Sequence, residues 1–362
     1  MVFRTLLLFL SLPLVHSHVP VFPYGTKESE PYQLKNIDTK SYGVYGELRA
    51  TDIVWLEIEG SKGAEMTISL QKNSGGGVYD VAVWAEGDTL QNISCGNENW
   101  YGWAHQLGGH YFTRNLTELP DSVRSAIGSS SAFVLHGDGQ EPSEFEPFGV
   151  GVYFPLAGCK DKFPRTTTYK MALVNPKEEE VNFSLGVGME ESFSLLELLL
   201  MPFVIFQTFL WSGRSAEAVV GIFAICLALV YTFKVVTLKS NSYSLLTRTA
   251  SQTLRTYGLH FVWLAAAAFF ANGVSFLFQL IFCFGLKPNL GSIVWVPILV
   301  HITIPIVLAI VVLLYYDARM AWGWKLLALF VGIWMLFFGW LSFLFFPVLY
   351  CVSVIMHLIL GP

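Results

Sequence analysis

Apolar and polar residues alternate in short runs through the first half of the chain. Residues 64–71, AEMTISLQ, put Ala64, Met66, Ile68 and Leu70 on one side and Glu65, Thr67, Ser69 and Gln71 on the other. EVNFSLGVG (180–188) does the same with Val181, Phe183, Leu185 and Val187. DIVWLEIEG, VYDVAVWAEG, SAFVLHG, GVGVYFPL and TTYKMALVNP repeat the pattern, with KNSGGG, HGDGQEP and NPKEEE between runs. A period of two, broken by turn-forming clusters, predicts an all-β antiparallel sandwich over 18–193. Ordinary strand and loop lengths give it about seven or eight strands.

From residue 195 the alternation stops and long apolar runs take over. Four of them, about 217–238, 257–286, 292–315 and 324–346, reach the roughly 20 residues that a bilayer core requires, and the last stays apolar to 360. They predict an all-α transmembrane bundle over 217–362. Between head and bundle, LLELLLMPFVIFQTFLW (195–211) is short and holds Glu197, Pro202 and Gln207. Segment 194–216 is therefore expected to be an interfacial or re-entrant helix, with Trp211 at headgroup level. A hairpin at Phe346-Pro347 would make five spans instead of four. No polar turn residue stands there, so one span with a Pro-broken extension is preferred. Residues 1–17, MVFRTLLLFLSLPLVHS, have an early Arg4, a short apolar core and a small residue at the end, and read as a signal peptide.

Charge then orients the segments. The net charge of −5 divides unevenly. Residues 18–194 hold 13 Lys and Arg against 24 Asp and Glu, while residues 195–362 hold 8 against 3. An acidic head on a basic, apolar base excludes a nucleic-acid partner and points to anionic headgroups as neighbours of the base. With the head outside and 195–211 not crossing, Lys234, Lys239, Arg248, Arg255, Arg319 and Lys325 face the cytosol, and only Arg214 and Lys287 face out. If 195–211 crossed, the count would invert, against the positive-inside rule. The chain is thus expected in the endomembrane system or plasma membrane, with its N-terminal domain lumenal or extracellular.

Candidate chemistry is sparse. Cys95 and Cys159 are the only cysteines of the head and are expected to form a disulfide in an oxidising compartment. Asn92, Asn115 and Asn182 each begin an Asn-x-Ser/Thr glycosylation signal, and none lies in the base. Trp100, Tyr101 and Trp103 in CGNENWYGWAHQLGGHYF (95–112) could form a ligand platform, or could plug an end of the sandwich. Asn272, His301 and Thr303 fall near mid-membrane, where a polar layer either binds a solute or joins helices. Glu144 and Glu146 share one side of an extended segment but do not make a catalytic pair. No nucleophile elbow, phosphate loop or metal signature is present, so no cofactor and no enzyme activity are expected.

The layout resembles two known arrangements. One is the Golgi-dynamics (GOLD) sandwich joined to a heptahelical bundle, comparable here only in the head. The other is a DOMON sandwich joined to a cytochrome b-type reductase. That resemblance implies histidine pairs at matched depth for two haems, whereas His260 is expected near one membrane face, His301 mid-membrane and His357 at or beyond the other face. FEPF (145–148) and GVGMEESF (186–193) give a closer resemblance to uncharacterised multispan membrane proteins with an exported N-terminal β-sandwich, which brings no activity. The expectation is a non-enzymatic integral membrane glycoprotein. Its head would bind a protein, glycan or lipid, and its bundle would anchor it or join a membrane complex. A small transporter or lipid-handling protein is the alternative, with haem-type electron transfer a distant third.

Overall fold

The computed structural model describes residues 19–73, 77–93, 95, 112–137, 144–146, 151–177, 179–188, 194–239, 250–285, 298–316, 321–338 and 345–359. They form two compact units that divide at residue 194 apart from a short excursion at 149–151. The first is built from two six-stranded sheets, the second from helices. Residues 1–17, expected to be a signal peptide, Trp100, Tyr101 and Trp103, and residues 240–249 lie outside the described residues.

The head strands are β1 (Val19–Val21), β2 (Tyr32–Leu34), β3 (Tyr42–Leu48), β4 (Ile53–Gly60), β5 (Glu65–Lys72), β6 (Asp80–Ala85), β7 (Phe112–Thr113), β8 (Ser131–His136), β9 (Glu144–Glu146), β10 (Gly151–Lys162), β11 (Thr167–Val174) and β12 (Val181–Val187). One sheet runs β1-β3-β12-β5-β10-β9 and the other β2-β4-β11-β6-β8-β7. All seven runs singled out by alternation are strands. The strand without such a signal and longer than three residues is β3, whose alternation is interrupted by Gly43 and Gly46. A Cβ on Gly46 would stand 2.7 Å from the Phe183 ring, so glycine is needed there for the ring to cross it. Pairing is antiparallel along β3-β12-β5-β10 and β4-β11-β6-β8-β7, while at an edge of each sheet β1 joins β3 and β2 joins β4 in parallel. The chain reaches those edges by passing from sheet to sheet, not through a hairpin, and so arrives in the partner's direction.

Side chains alternate as the pattern requires. Met66, Ile68 and Leu70 of β5 and Val181, Phe183, Leu185 and Val187 of β12 all enter the core between the sheets. Tyr79 crosses that core: its hydroxyl donates to Ser184 O at 2.7 Å and accepts from Gln71 N at 3.0 Å. Burial pushes its phenol far above the ordinary range, so it remains a donor at any physiological pH. A second cluster covers the outer face of the β4-containing sheet. There α1 (Asp121–Ile127) lays Val123 and Ile127 over Trp55, Trp84, Ala132 and Val174. The expected disulfide joins Cys95 to Cys159, the latter in β10 opposite Ile68.

The helical unit comprises α2 (Leu195–Trp211), α3 (Ala216–Lys239), α4 (Ala250–Gly285), a π-helical turn (Ile298–Thr303) running into α5 (Ile304–Tyr315), α6 (Trp322–Phe338) and α7 (Phe345–Ile359). Among the described residues, three stretches are long and apolar enough to cross a membrane: Ala216–Thr237, Thr256–Gly285 and Ile298–Tyr315. Gly213, at φ 84°, closes α2, with Gly213 N–H on Leu210 O and Arg214 N–H on Phe209 O. This is the Schellman pattern that glycine permits. Ser215 Oγ then caps α3 by accepting Ala218 N–H.

The central helix is α4, packed against α3, α5 and α7. Its Ala265, Ala266 and Phe269 meet Ala309 and Val312 of α5 and Tyr350 and Val354 of α7. The run expected to cross once near 324–346 is instead two helices lying antiparallel. Lys325 near the start of α6 bonds the His357 carbonyl near the end of α7. Farther along, Gly332 of α6 faces Tyr350 and Cys351 of α7 so closely that a Cβ would sit 2.6 Å from either. The close approach at Gly332 lets the two helices pack with their backbones near each other.

Candidate functional site

Among the described residues, most buried polar side chains of the helical unit fall into two groups on either side of a mainly apolar zone. The first follows one stripe of α4. Asn272, Ser275, Gln279 and Cys283, spaced three or four residues apart, are all buried. Ser275 Oγ donates to Val219 O of α3 at 3.2 Å. At the end of the stripe, the buried Arg214 lies over Phe209 (4.5 Å) and Phe282 (5.3 Å) and donates through Nη2 to Cys283 Sγ at 2.9 Å. A guanidinium has only donors, so sulfur is the acceptor.

His301 meets this stripe from the π-helical turn. Its ring stacks on Phe276, centroids 5.0 Å apart and planes 22° apart. Gly273 brings the backbones together, since a Cβ there would be 3.0 Å from Ile302 O. The widened turn has a cause in the sequence: Pro305 has no N–H for the carbonyl four residues earlier, that of His301. The structure therefore places Asn272 and His301, both fully buried, on facing helices at neighbouring levels. Thr303 is exposed and its hydroxyl donates to Ile298 O at 2.7 Å, so it stands apart from that pair.

The second group was not expected. Lys325 is 2% exposed and donates to His357 O at 2.8 Å. His357 Nδ1 and the Tyr316 hydroxyl are 2.8 Å apart, and the two rings stack at 5.8 Å. Gly258 of α4 closes the far side of the imidazole, because a Cβ there would lie 2.8 Å from Nε2. These contacts put His357 at the end of the unit where α4 begins, the end of His260, not opposite it as a single long span would require. From the sequence, Lys325 is expected at the cytosolic face and His357 at or beyond the opposite one, and only the antiparallel packing of α6 and α7 brings them together.

Between the groups lie Phe269, Ala309, Val312 and Val354, with Tyr350 against Phe269 at 5.4 Å. The Tyr350 hydroxyl is fully buried and makes no hydrogen bond among the described residues. Tyr350→Phe should therefore be neutral or stabilise by about 1 kcal/mol, because it removes only a desolvated polar atom. Thermal unfolding of the detergent-purified chain checks this; a fall in Tm would show that the hydroxyl is satisfied by bound water.

In the head, Asn92 and Asn115 are exposed and Asn182 is half-buried in β12. Arg114 clamps the first two together: its Nη2 donates to Leu90 O, Gln91 O and Ile93 O at 2.9, 2.8 and 2.9 Å. Asp80 accepts from Gly137 N–H and pairs with His136 Nδ1, each at 3.0 Å, which fixes the end of β8 against β6. Among the described residues no cluster of His, Cys, Asp and Glu could hold a metal ion.

No protein-family model matches the chain, and no curated protein matches it. Among solved structures, the periplasmic inhibitor of g-type lysozyme PliG from Aeromonas hydrophila is similar over 44% of this chain and 96% of that one. The identity is 13% and the TM-score 0.22, a likeness too slight to bear on what this chain does.

Proposed function

We propose that this protein is a non-enzymatic integral membrane glycoprotein whose exported head binds a protein, glycan or lipid, while its helical unit anchors it or joins it to a membrane complex. The observation that carries the reading is the joining, in one chain, of a disulfide-tied two-sheet domain to helices whose outward faces are apolar. Leu229, Phe233, Leu314 and Ile359 are each more than three-fifths exposed, which suits lipid and not water. Orientation follows from charge. Lys234 and Lys325 lie at the end of the unit where α4 begins, and Arg214 lies at the other. The positive-inside rule then turns the Lys325 end toward the cytosol. With α6 and α7 antiparallel, that gives five passes, α2 held in the interface, and a cytosolic C-terminus.

The test is made on the full chain in intact cells. A glycosidase should increase its gel mobility, and Asn92→Gln and Asn115→Gln should each remove one step of that shift. A protease site inserted between residues 239 and 250 should resist enzyme added outside. Cleavage there from outside, or no glycosidase shift, would overturn the proposed orientation.

A second reading, passage of a proton or small solute through the bundle, is favoured by the buried Asn272–Gln279 stripe and its meeting with His301. Substituting Asn272 and His301 together by Leu separates the two. Under the binding reading, a partner cross-linked to the head is retained; under the transport reading, solute flux is lost while that partner stays.

A further inference from the structure

We infer that the surface level marked by Tyr257, Tyr315, Trp322 and Trp324 is where the helical unit meets phospholipid headgroups, and that these four rings set its depth in the bilayer. The inference rests on the membrane-spanning reading above and adds to it the position of the boundary. Each of the four is more than half exposed. They come from three helices, α4, α5 and α6, and His357 shows that they share a level. Tyr257 precedes Gly258, whose missing Cβ would touch the His357 ring. Tyr315 precedes Tyr316, whose hydroxyl meets His357 Nδ1, and Trp324 precedes Lys325, which donates to His357 O. Consecutive Cα atoms are about 3.8 Å apart, so three helices held to one histidine carry these rings at nearly one height. Trp322 belongs to the same first turn of α6 as Trp324.

The surface changes character at this level. Among the described residues of the helical unit, every other exposed large hydrophobic side chain is Leu, Ile, Val or Phe. Phe261, Val307, Val311, Leu327 and Ile333 follow the rings along α4, α5 and α6 in the direction of the Arg214 end. In the other direction the chain becomes charged: Lys239, Arg248 and Arg255 precede Tyr257, and Asp317 and Arg319 stand between Tyr315 and Trp322. An indole or a phenol joins an apolar ring to one polar donor. It suits the layer where acyl chains end and ester and phosphate oxygens accept hydrogen bonds. A protein partner would not require the rings to coincide with the change from apolar to charged, so the coincidence favours lipid. With the boundary there, Lys325 and His357 are buried within the unit at headgroup depth. Val307, eight residues before Tyr315 on α5, then lies about 12 Å deeper, toward the middle of the bilayer.

The experiment uses the full chain reconstituted into phosphatidylcholine vesicles whose acyl chains carry bromine either beside the ester or near the chain end. Bromine quenches tryptophan on contact, so it reports depth. The fluorescence lost on combining Trp322→Phe with Trp324→Phe isolates those two rings, and bromine beside the ester should quench that difference more than bromine near the chain end. Val307→Trp added to the double variant should show the reverse order. Tyr315→Trp added to the wild-type chain reads the boundary level without removing a ring, and should match Trp322 and Trp324. Stronger quenching of the boundary rings by the deep bromine overturns the proposal. Quenching by neither also overturns it, and would point to protein covering the rings. Alkaline carbonate extraction is read separately: release of the chain from membranes would sink the membrane reading, whereas a retained chain with the wrong quenching order sinks only the boundary.

Discussion

Serine at both Cys95 and Cys159 should cost the head about 4 kcal/mol, the chain-entropy value for opening a loop of this length. The two cysteines are 64 residues apart, and both are buried within the core between the sheets. The loss has a second component, because two serine hydroxyls would replace sulfur in an apolar setting. Thermal unfolding of the full chain, with limited proteolysis reporting on the head, should show a Tm lowered by many degrees. Reductant added to the native chain should reproduce the effect. An unchanged Tm in both tests would mean that the two sheets hold segment 95–159 without the cross-link.

Leucine at Gly258 should destabilise the helical unit by about 3 kcal/mol or more, because the site has no volume to give. Its neighbour, the His357 imidazole, cannot swing aside without breaking the contact with Tyr316. Leucine would push α4 away from α7 and separate Lys325 from its carbonyl. Alanine at 258 should lie between wild type and leucine. Gly285→Leu, where nothing stands within 4 Å of a new Cβ, serves as the neutral comparison. Equal Tm values for the 258 and 285 variants in detergent would refute the packing argument.

Much of the head was legible because a half-buried strand writes its burial into every second residue. All seven alternating runs became strands, and the lone cysteine pair found its bond. What escaped notice were strands too short to show a period, such as β1, β2 and β7, and β3 with its two glycines. The helical unit was legible in its long runs, where length alone gives the answer. Its polar interior was only half visible. Asn272 and His301 stood out against apolar neighbours, whereas Lys325, Tyr316 and His357 required knowledge of where the chain doubles back between α6 and α7. Apolar periodicity cannot locate such a turn, because a helix apolar on all sides looks the same whether it continues or doubles back.

That doubling back also bears on how the chain enters its membrane. The described parts of the two arms, α6 of 17 residues and α7 of 15, pack against each other along their length. Lys325 lacks its partner until the His357 carbonyl arrives some thirty residues later in synthesis. On the membrane reading proposed above, insertion of the two arms would be concerted: a nascent chain stopped after α6 should be held at the insertion machinery, and only completion of α7 would release the pair sideways into lipid.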